Sequence, residues 1–182
     1  MVRCRTLAMA REVLSALCSR MVGVGLELHP GKTWIVYCKD GNRTGSYSVT
    51  EFTFLGYTFR PRGAENRHGT QFTAFLPAIS NQALARLSGT VRSWRLRRRI
   101  GIGESGLARR INPVLRGWMD YYGRFYRSAL DPLFYRVSTY LMRWICKKYR
   151  VGWRRAERRL AHGYRLNPRY FAHWTWTKPV TG

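Results

Sequence analysis

The residues best equipped for chemistry lie between Leu107 and Leu130, in the run LARRINPVLRGWMDYYGRFYRSAL. Arg109, Arg110, Arg116, Arg124 and Arg127 alternate there with Trp118, Tyr121, Tyr122, Phe125 and Tyr126, and only Asp120 opposes the charge. The chemistry on offer is binding. Guanidinium groups meet a line of phosphates, while flat rings stack on base faces exposed in single strands. A solvated charge run would not carry the aromatics, and a plain core would not carry the arginines, so the segment as a whole points to RNA. Read singly, each ring is as well explained as core and each arginine as the solvated back of that core.

Bond-breaking chemistry has no comparable constellation. The aspartates are Asp40, in a polar loop, Asp120, mid-helix, and Asp131, at a predicted N-cap. None has a second carboxylate at a spacing that would hold a pair of metal ions, so no catalytic residue is assigned. Cys4, Cys18, Cys38 and Cys146 form no CxxC pair, and His29, His68, His162 and His173 are scattered. Zinc sites need clustered thiolate or imidazole ligands, so neither a metal nor a cofactor is expected. The cysteines read as free, mostly buried thiols of a reducing compartment.

Charge sets the partner class. The chain carries 33 Lys+Arg against 9 Asp+Glu, a net +24 on 182 residues. Disordered basic tails are poor in large apolar groups, whereas this chain has 7 Trp, 11 Tyr and 8 Phe and should build a core. From Arg86 onward lie 23 of the basic residues and 4 of the acidic ones, so the second part is far more basic than the first. A field of that size favours polyanions and salt-sensitive association. No apolar run reaches the roughly 18 residues that suggest a membrane span, and Arg11 and Glu12 interrupt the apolar stretch a signal peptide needs. A cytoplasmic protein without a membrane partner is expected.

The elements that must position these residues follow from periodicity. Leu7, Ala10, Val13 or Leu14, Leu17 and Met21 predict an amphipathic helix over Thr6 to Val24, closed by Gly23 and Gly25. Leu26 to Leu28 and Thr33 to Cys38 read as short strands around a His29-Pro30-Gly31 turn, followed by a polar loop to Thr50. Phe52 to Phe59 reads as a strand in which Gly56 marks a bulge or a close backbone approach. Gly63 to Gly69 is a turn-rich break before a strand ending at Pro77.

Beyond Ser80, an N-cap residue, the pattern becomes helical, with Leu84, Leu87, Val91, Trp94 and Leu96 on one side and Arg86, Arg92, Arg95, Arg97, Arg98 and Arg99 on the other. A short helix from Ser105 to Ile111 is expected to give way at Asn112-Pro113, read as N-cap and first helical residue, to a second helix ending near Gly123. Asp131-Pro132 repeats that signal for a helix to Tyr149, and a last helix covers Arg154 to His162. The aromatic tail NPRYFAHWTW is too short and proline-marked to assign. The fold class is therefore α+β: a small β-containing part over 1–76 and a mainly helical part over 77–182.

Three segments in this order resemble a group II intron-encoded reverse transcriptase/maturase. GLELHPGKT, Gly25 to Thr33, resembles the reverse-transcriptase block whose lysine, here Lys32, lies near primer and nucleotide. FLGYTF, Phe54 to Phe59, resembles the block at the palm-to-thumb boundary. Leu76 to Trp174 resembles the thumb and maturase-specific domain, with INPVLRGWMDYYGRFYRSAL and FAHW as its most specific strings. The resemblance implies that 1–76 is the C-terminal remnant of a palm and 77–182 a helical thumb and maturase domain that grips intron RNA and helps it fold and splice. Polymerisation in that family needs aspartates holding two metal ions, from an upstream aspartate and a Tyr-Ala-Asp-Asp turn. The chain starts just after where that turn would lie, so no polymerase activity is expected of it alone. No clustered His and Cys of an HNH-type nuclease follows FAHW, so no DNA cleavage is expected either.

The reading that best absorbs these features is an RNA-binding maturase fragment whose partner is group II intron RNA or another structured RNA. Its contacts are expected at Arg97, Arg98 and Arg99, at Arg109, Arg110 and Arg116, at Arg124 and Arg127 beside Tyr121, Tyr122 and Tyr126, and at Lys147, Lys148 and Arg150, with Lys32 able to touch a phosphate. The second reading is one piece of a split RNA-directed DNA polymerase that works only with an upstream reverse-transcriptase fragment. A non-functional gene remnant is a third, and a generic basic RNA-binding protein, which explains the charge but not the ordered blocks, a fourth.

Overall fold

The computed structural model describes residues 1–43 and 45–179. In chain order these form helix α1 (Leu7–Val22), strands β1 (Phe52–Phe54), β2 (Tyr57–Glu65) and β3 (Gln71–Ile79), then helices α2 (Asn81–Ser93), α3 (Glu104–Tyr122), α4 (Asp131–Tyr149) and α5 (Trp153–Leu166). Single 3-10 turns sit at Pro30–Lys32, Leu96–Arg98, Arg127–Leu130 and Ala172–Thr175. The strands pair antiparallel in the order β1-β2-β3, and the α+β class expected from the sequence holds.

The chain divides into two compact units, Met1–Phe52 with Arg60–Phe75, and Thr53–Phe59 with Leu76–Gly182. In the first, Thr6 caps α1 by accepting from the Met9 amide at 3.2 Å, and Gly25, at φ 73°, turns the chain out of the helix. The apolar stripe of α1 is real, yet the helix has no buried residue, and Leu7, Met9, Leu17 and Val22 are exposed. The predicted strands at Leu26 to Leu28 and Thr33 to Cys38 do not form. The Tyr37 amide donates to the Val49 carbonyl, and Tyr37 packs on Tyr47 with ring centroids 4.2 Å apart, but no ladder develops. Val and Ile favour strands only where a partner strand and a packed face exist. The hairpin turn between β2 and β3 is held by Asn66, whose side-chain oxygen accepts from the His68 and Thr70 amides. That turn is narrower than the Gly63 to Gly69 break read from composition, because Gly63 and Ala64 remain in β2.

In the second unit the predicted strand Phe52 to Phe59 is folded in two. Leu55 and Gly56 both have positive φ, 50° and 81°, and make the two-residue hairpin turn that joins β1 to β2. Gly56 also permits the close approach read from its position, since a Cβ there would meet the Tyr122 hydroxyl at 3.0 Å. Tyr121 donates to the Leu55 carbonyl at 3.0 Å and Tyr57 donates to the Tyr121 carbonyl, so the turn is seated on the end of α3.

Helix α2 starts where expected, with the Ser80 hydroxyl accepting from Ala83 at 3.1 Å. It buries Ala83, Leu87 and Val91, four residues apart. Helix α4 forms the centre of the unit through Leu133, Phe134, Val137, Leu141, Trp144 and Ile145, each at most 3% exposed. Around it close α2, α3, α5 and the C-terminal segment. Asp131 is not an N-cap, for Leu130 holds that place. Asp131 lies in the first turn with Pro132 and accepts from the Thr177 hydroxyl at 3.2 Å. The cysteines are free, as expected, but none is buried: Cys18 is exposed and Cys4, Cys38 and Cys146 are intermediate.

The predicted break at Asn112-Pro113 is absent, and α3 runs through both residues. A proline inside a helix removes one N–H donor. Here its neighbour is occupied elsewhere, because the buried Asn112 side chain donates to the Tyr170 carbonyl at 2.9 Å and accepts from the Ala172 amide at 2.9 Å. This amide fastens the tail to the middle of α3. The tail, unassigned from sequence, supplies the buried Phe171, Ala172, His173 and Trp174. Asn112→Ala should therefore lower the unfolding free energy by about 2 kcal/mol, since it leaves the partly buried Tyr170 carbonyl and the buried Ala172 N–H unpaired. Urea unfolding measures this, and an unchanged midpoint would show that the tail is held by its rings alone.

Candidate nucleic-acid interface

Helix α3 separates core from charge by rotation alone. Leu107, Ala108, Ile111, Asn112, Leu115, Met119 and Tyr122 are buried along one side. Arg109, Arg110 and Arg116 are exposed. At about 100° per residue, Arg109 and Arg116 fall on nearly the same line, two turns and roughly 10 Å apart, with Arg110 a quarter turn away. Only a helix continuous through Pro113 puts them in register. Asp120, one turn beyond Arg116, is the acid on this face. Arg124 is exposed just past the helix end, and Tyr121 presents 47% of its surface although its hydroxyl is bound to Leu55.

Other predicted contacts are divided between surface and scaffold. Arg97 and Arg98 are exposed on the 3-10 turn after α2, whereas Arg99 donates from Nε to the Trp94 carbonyl at 2.9 Å. Arg127 donates to the Thr175 carbonyl at 3.0 Å, with its guanidinium 4.2 Å from the Trp176 ring centre. Lys148 donates to the Ile100 and Ile102 carbonyls at 2.6 and 2.8 Å, tying the α2–α3 connection to the end of α4. Lys147 is exposed, and Arg150 is the left-handed C-cap of α4, at φ 52°. Cations there also complement the helix dipole. Tyr122 is buried, accepting at its hydroxyl from Arg86 at 3.1 Å, and Tyr126 is half-buried. Lys32 lies in the other unit, exposed on its 3-10 turn.

Two sets of cations extend beyond the sequence-based candidates, the second of them sharing Arg98 with those candidates. Helix α5 buries Ala156 and Leu160 and exposes Arg154, Arg155, Arg158, Arg159 and Arg165. The signal was present in WRRAERRLAHGYR, whose arginine pairs recur at a spacing of four around a small apolar stripe. Arg159 is anchored, donating to Glu104 at 2.9 Å and lying 3.9 Å over the Tyr149 ring, and its pKa is raised chiefly by that Glu104 hydrogen bond. Tyr149 also donates to Glu104, at 3.1 Å, and its pKa is raised first by burial and then by the carboxylate. The second set is Arg92, Arg95 and Arg98, which with Gly89 and Ser93 line an open hollow of about 390 Å³. Arg95 stands there in the left-handed region at φ 49°, a conformation uncommon for a residue with a side chain.

An apolar helical core with arginines on the outer faces of several helices defines a basic helical domain. Residues 84–162 match the model of the group II intron maturase-specific domain, which supports a group II intron maturase C-terminal region over that stretch. Its role is accordingly related to that of group II intron maturases. No curated protein and no solved structure matches the chain. No helix among the described residues is long and apolar enough to cross a membrane.

Proposed function

We propose that this chain binds group II intron RNA through the arginine faces of its helical unit and assists folding and splicing of that RNA, without polymerising on its own. The observation that carries the reading is the exposed line Arg109, Arg110 and Arg116 inside the matched stretch, set on a helix whose opposite side is fully committed to the core. Such a face is rigid, so its charges need no reordering to meet phosphates. The exposed arginines of α5 and the hollow at Arg92, Arg95 and Arg98 extend it. In this reading residues 77–182 are the thumb and maturase-specific part and residues 1–76 a remnant of palm. Arg99, Arg127 and Lys148 then act mainly by shaping the surface, and Arg97, Arg98, Arg109, Arg110, Arg116 and Arg124 by touching RNA.

The test is splicing of an intron RNA at a magnesium concentration too low for the RNA to react alone. Added protein should raise the spliced fraction, and an unchanged fraction at saturating protein would contradict the assignment. Primer extension on an RNA template should stay at background in the same preparation.

A second reading, assembly with a separately made reverse-transcriptase fragment, is favoured by one observation. Helix α1 has an apolar stripe and no buried residue, and Leu26 and Trp34 are also exposed in that unit. Co-purification with a fingers-and-palm fragment, lost when Leu17 and Met21 are changed to serine, would support it.

A further inference from the structure

A cleft of about 360 Å³ opens between α4, α5 and the C-terminal segment. Its walls are apolar and aromatic, formed by Trp144, Leu160, Tyr170, Phe171 and Trp174, while Leu166, 73% exposed, marks its opening to solvent. The size is at the low end of clefts that enclose small ligands, about 300–1,000 Å³. The polar lining argues against an ordinary packing defect. Glu104 and Arg159, joined by a 2.9 Å hydrogen bond, also line the cleft, so an acceptor and a cation stand beside the rings.

We propose that this cleft receives one unpaired nucleobase of the bound RNA. The inference rests on the RNA-binding reading above and adds to it a place where a base, and not only phosphate, is held. Aromatic walls stack on a base face, and Glu104 accepts from an amino group. The exposed arginines of α5, Arg154, Arg155, Arg158 and Arg165, bring the backbone past the opening. Charge complementarity makes a nucleotide, rather than an apolar peptide side chain, the fitting occupant.

Gly163 lines the cleft from within α5, and a Cβ there would meet the Trp174 ring at 3.7 Å, ordinary contact. The Cβ of Gly163→Leu is thus accommodated, its further carbons occupy cleft space, and the change replaces a poor helix former by a good one. The experiment compares a mixed-sequence single-stranded RNA with an oligonucleotide of equal length and charge lacking bases, by fluorescence anisotropy at fixed salt. Wild type should prefer the base-bearing strand by about tenfold. Gly163→Leu, its folding checked by thermal melting, should lose most of that preference while binding the abasic strand as before. A preference retained in full by Gly163→Leu would overturn the proposal and leave RNA binding standing, and so would equal binding of both strands by wild type. Binding of neither strand nor of folded intron RNA would remove the RNA-binding reading itself and this proposal with it.

Discussion

Replacing Arg109, Arg110 and Arg116 together by glutamate should lower affinity for intron RNA by at least about a hundredfold while leaving the melting temperature nearly unchanged. Hydrogen bonds to charged groups contribute roughly 1.5–3 kcal/mol each, so losing even two of three contacts exceeds the approximately 2.7 kcal/mol that corresponds to a hundredfold. Reversal adds repulsion to that loss. Stability should hold because all three side chains are exposed on α3, where substitutions away from packed features stay within about 0.5 kcal/mol, and arginine and glutamate have similar helix propensity. The slope of log affinity against log salt should also fall by about three, one counter-ion for each lost contact. Gel-shift titrations at several salt concentrations read both quantities. An unchanged affinity in a folded variant would take this face out of the interface.

The second large effect is on stability and follows pH. His173 is fully buried, facing the rings of Phe134, Phe171 and Trp174. Its Nε2 lies 3.0 Å from the Ser138 hydroxyl, and its Nδ1 has no partner among the described residues. Burial holds its pKa down from 6.5 to about 3. The folded state thus keeps the ring neutral where the unfolded chain would take a proton. This contribution to stability is fully present above about pH 6.5, declines by about 1.4 kcal/mol for each pH unit below it, and levels off near pH 3. The fold should be about 2 kcal/mol less stable at pH 5 than at pH 7.5, and between 4 and 5 kcal/mol less, roughly, by pH 3 from this residue alone. Urea unfolding between pH 5 and 7.5 isolates the histidine, because carboxylates titrate mostly below that window. His173→Gln should flatten the dependence, and an equally steep slope in the variant would place the proton elsewhere.

Much of the helical unit is legible in the residues themselves. Ser80 before an apolar stripe gives α2, Asp131-Pro132 before Leu133, Phe134 and Val137 gives α4, and the arginines opposite each stripe are exposed as periodicity demands. Asn112-Pro113 misleads because Asn-Pro is an honest local start signal. What overrides it is a partner 58 to 60 residues away, the Tyr170 carbonyl and the Ala172 amide, which no local pattern reveals. The tail is opaque for the same reason: Phe171 and Trp174 are ordered by the groove they fill, not by their own propensity. Thr33 to Cys38 fails in the opposite direction, since β-branched residues need a neighbouring strand that is not there. The candidate interface was visible as composition, but sorting Arg109 and Arg116 from the scaffold cations Arg127 and Lys148 required the carbonyls of Thr175, Ile100 and Ile102, which come from distant parts of the chain. The arginines of α5 are legible as pairs recurring at a spacing of four in WRRAERRLAHGYR.

The most direct measurement is equilibrium binding of the whole chain to a folded group II intron RNA and to an unrelated structured RNA of equal length, across a salt series. Shaped placement of the arginines predicts a preference for the intron that persists at salt concentrations where the control RNA has been released, with parallel slopes. Equal affinities for both RNAs, falling together as salt rises, would mean that the net charge of +24 accounts for the binding and would contradict a maturase surface.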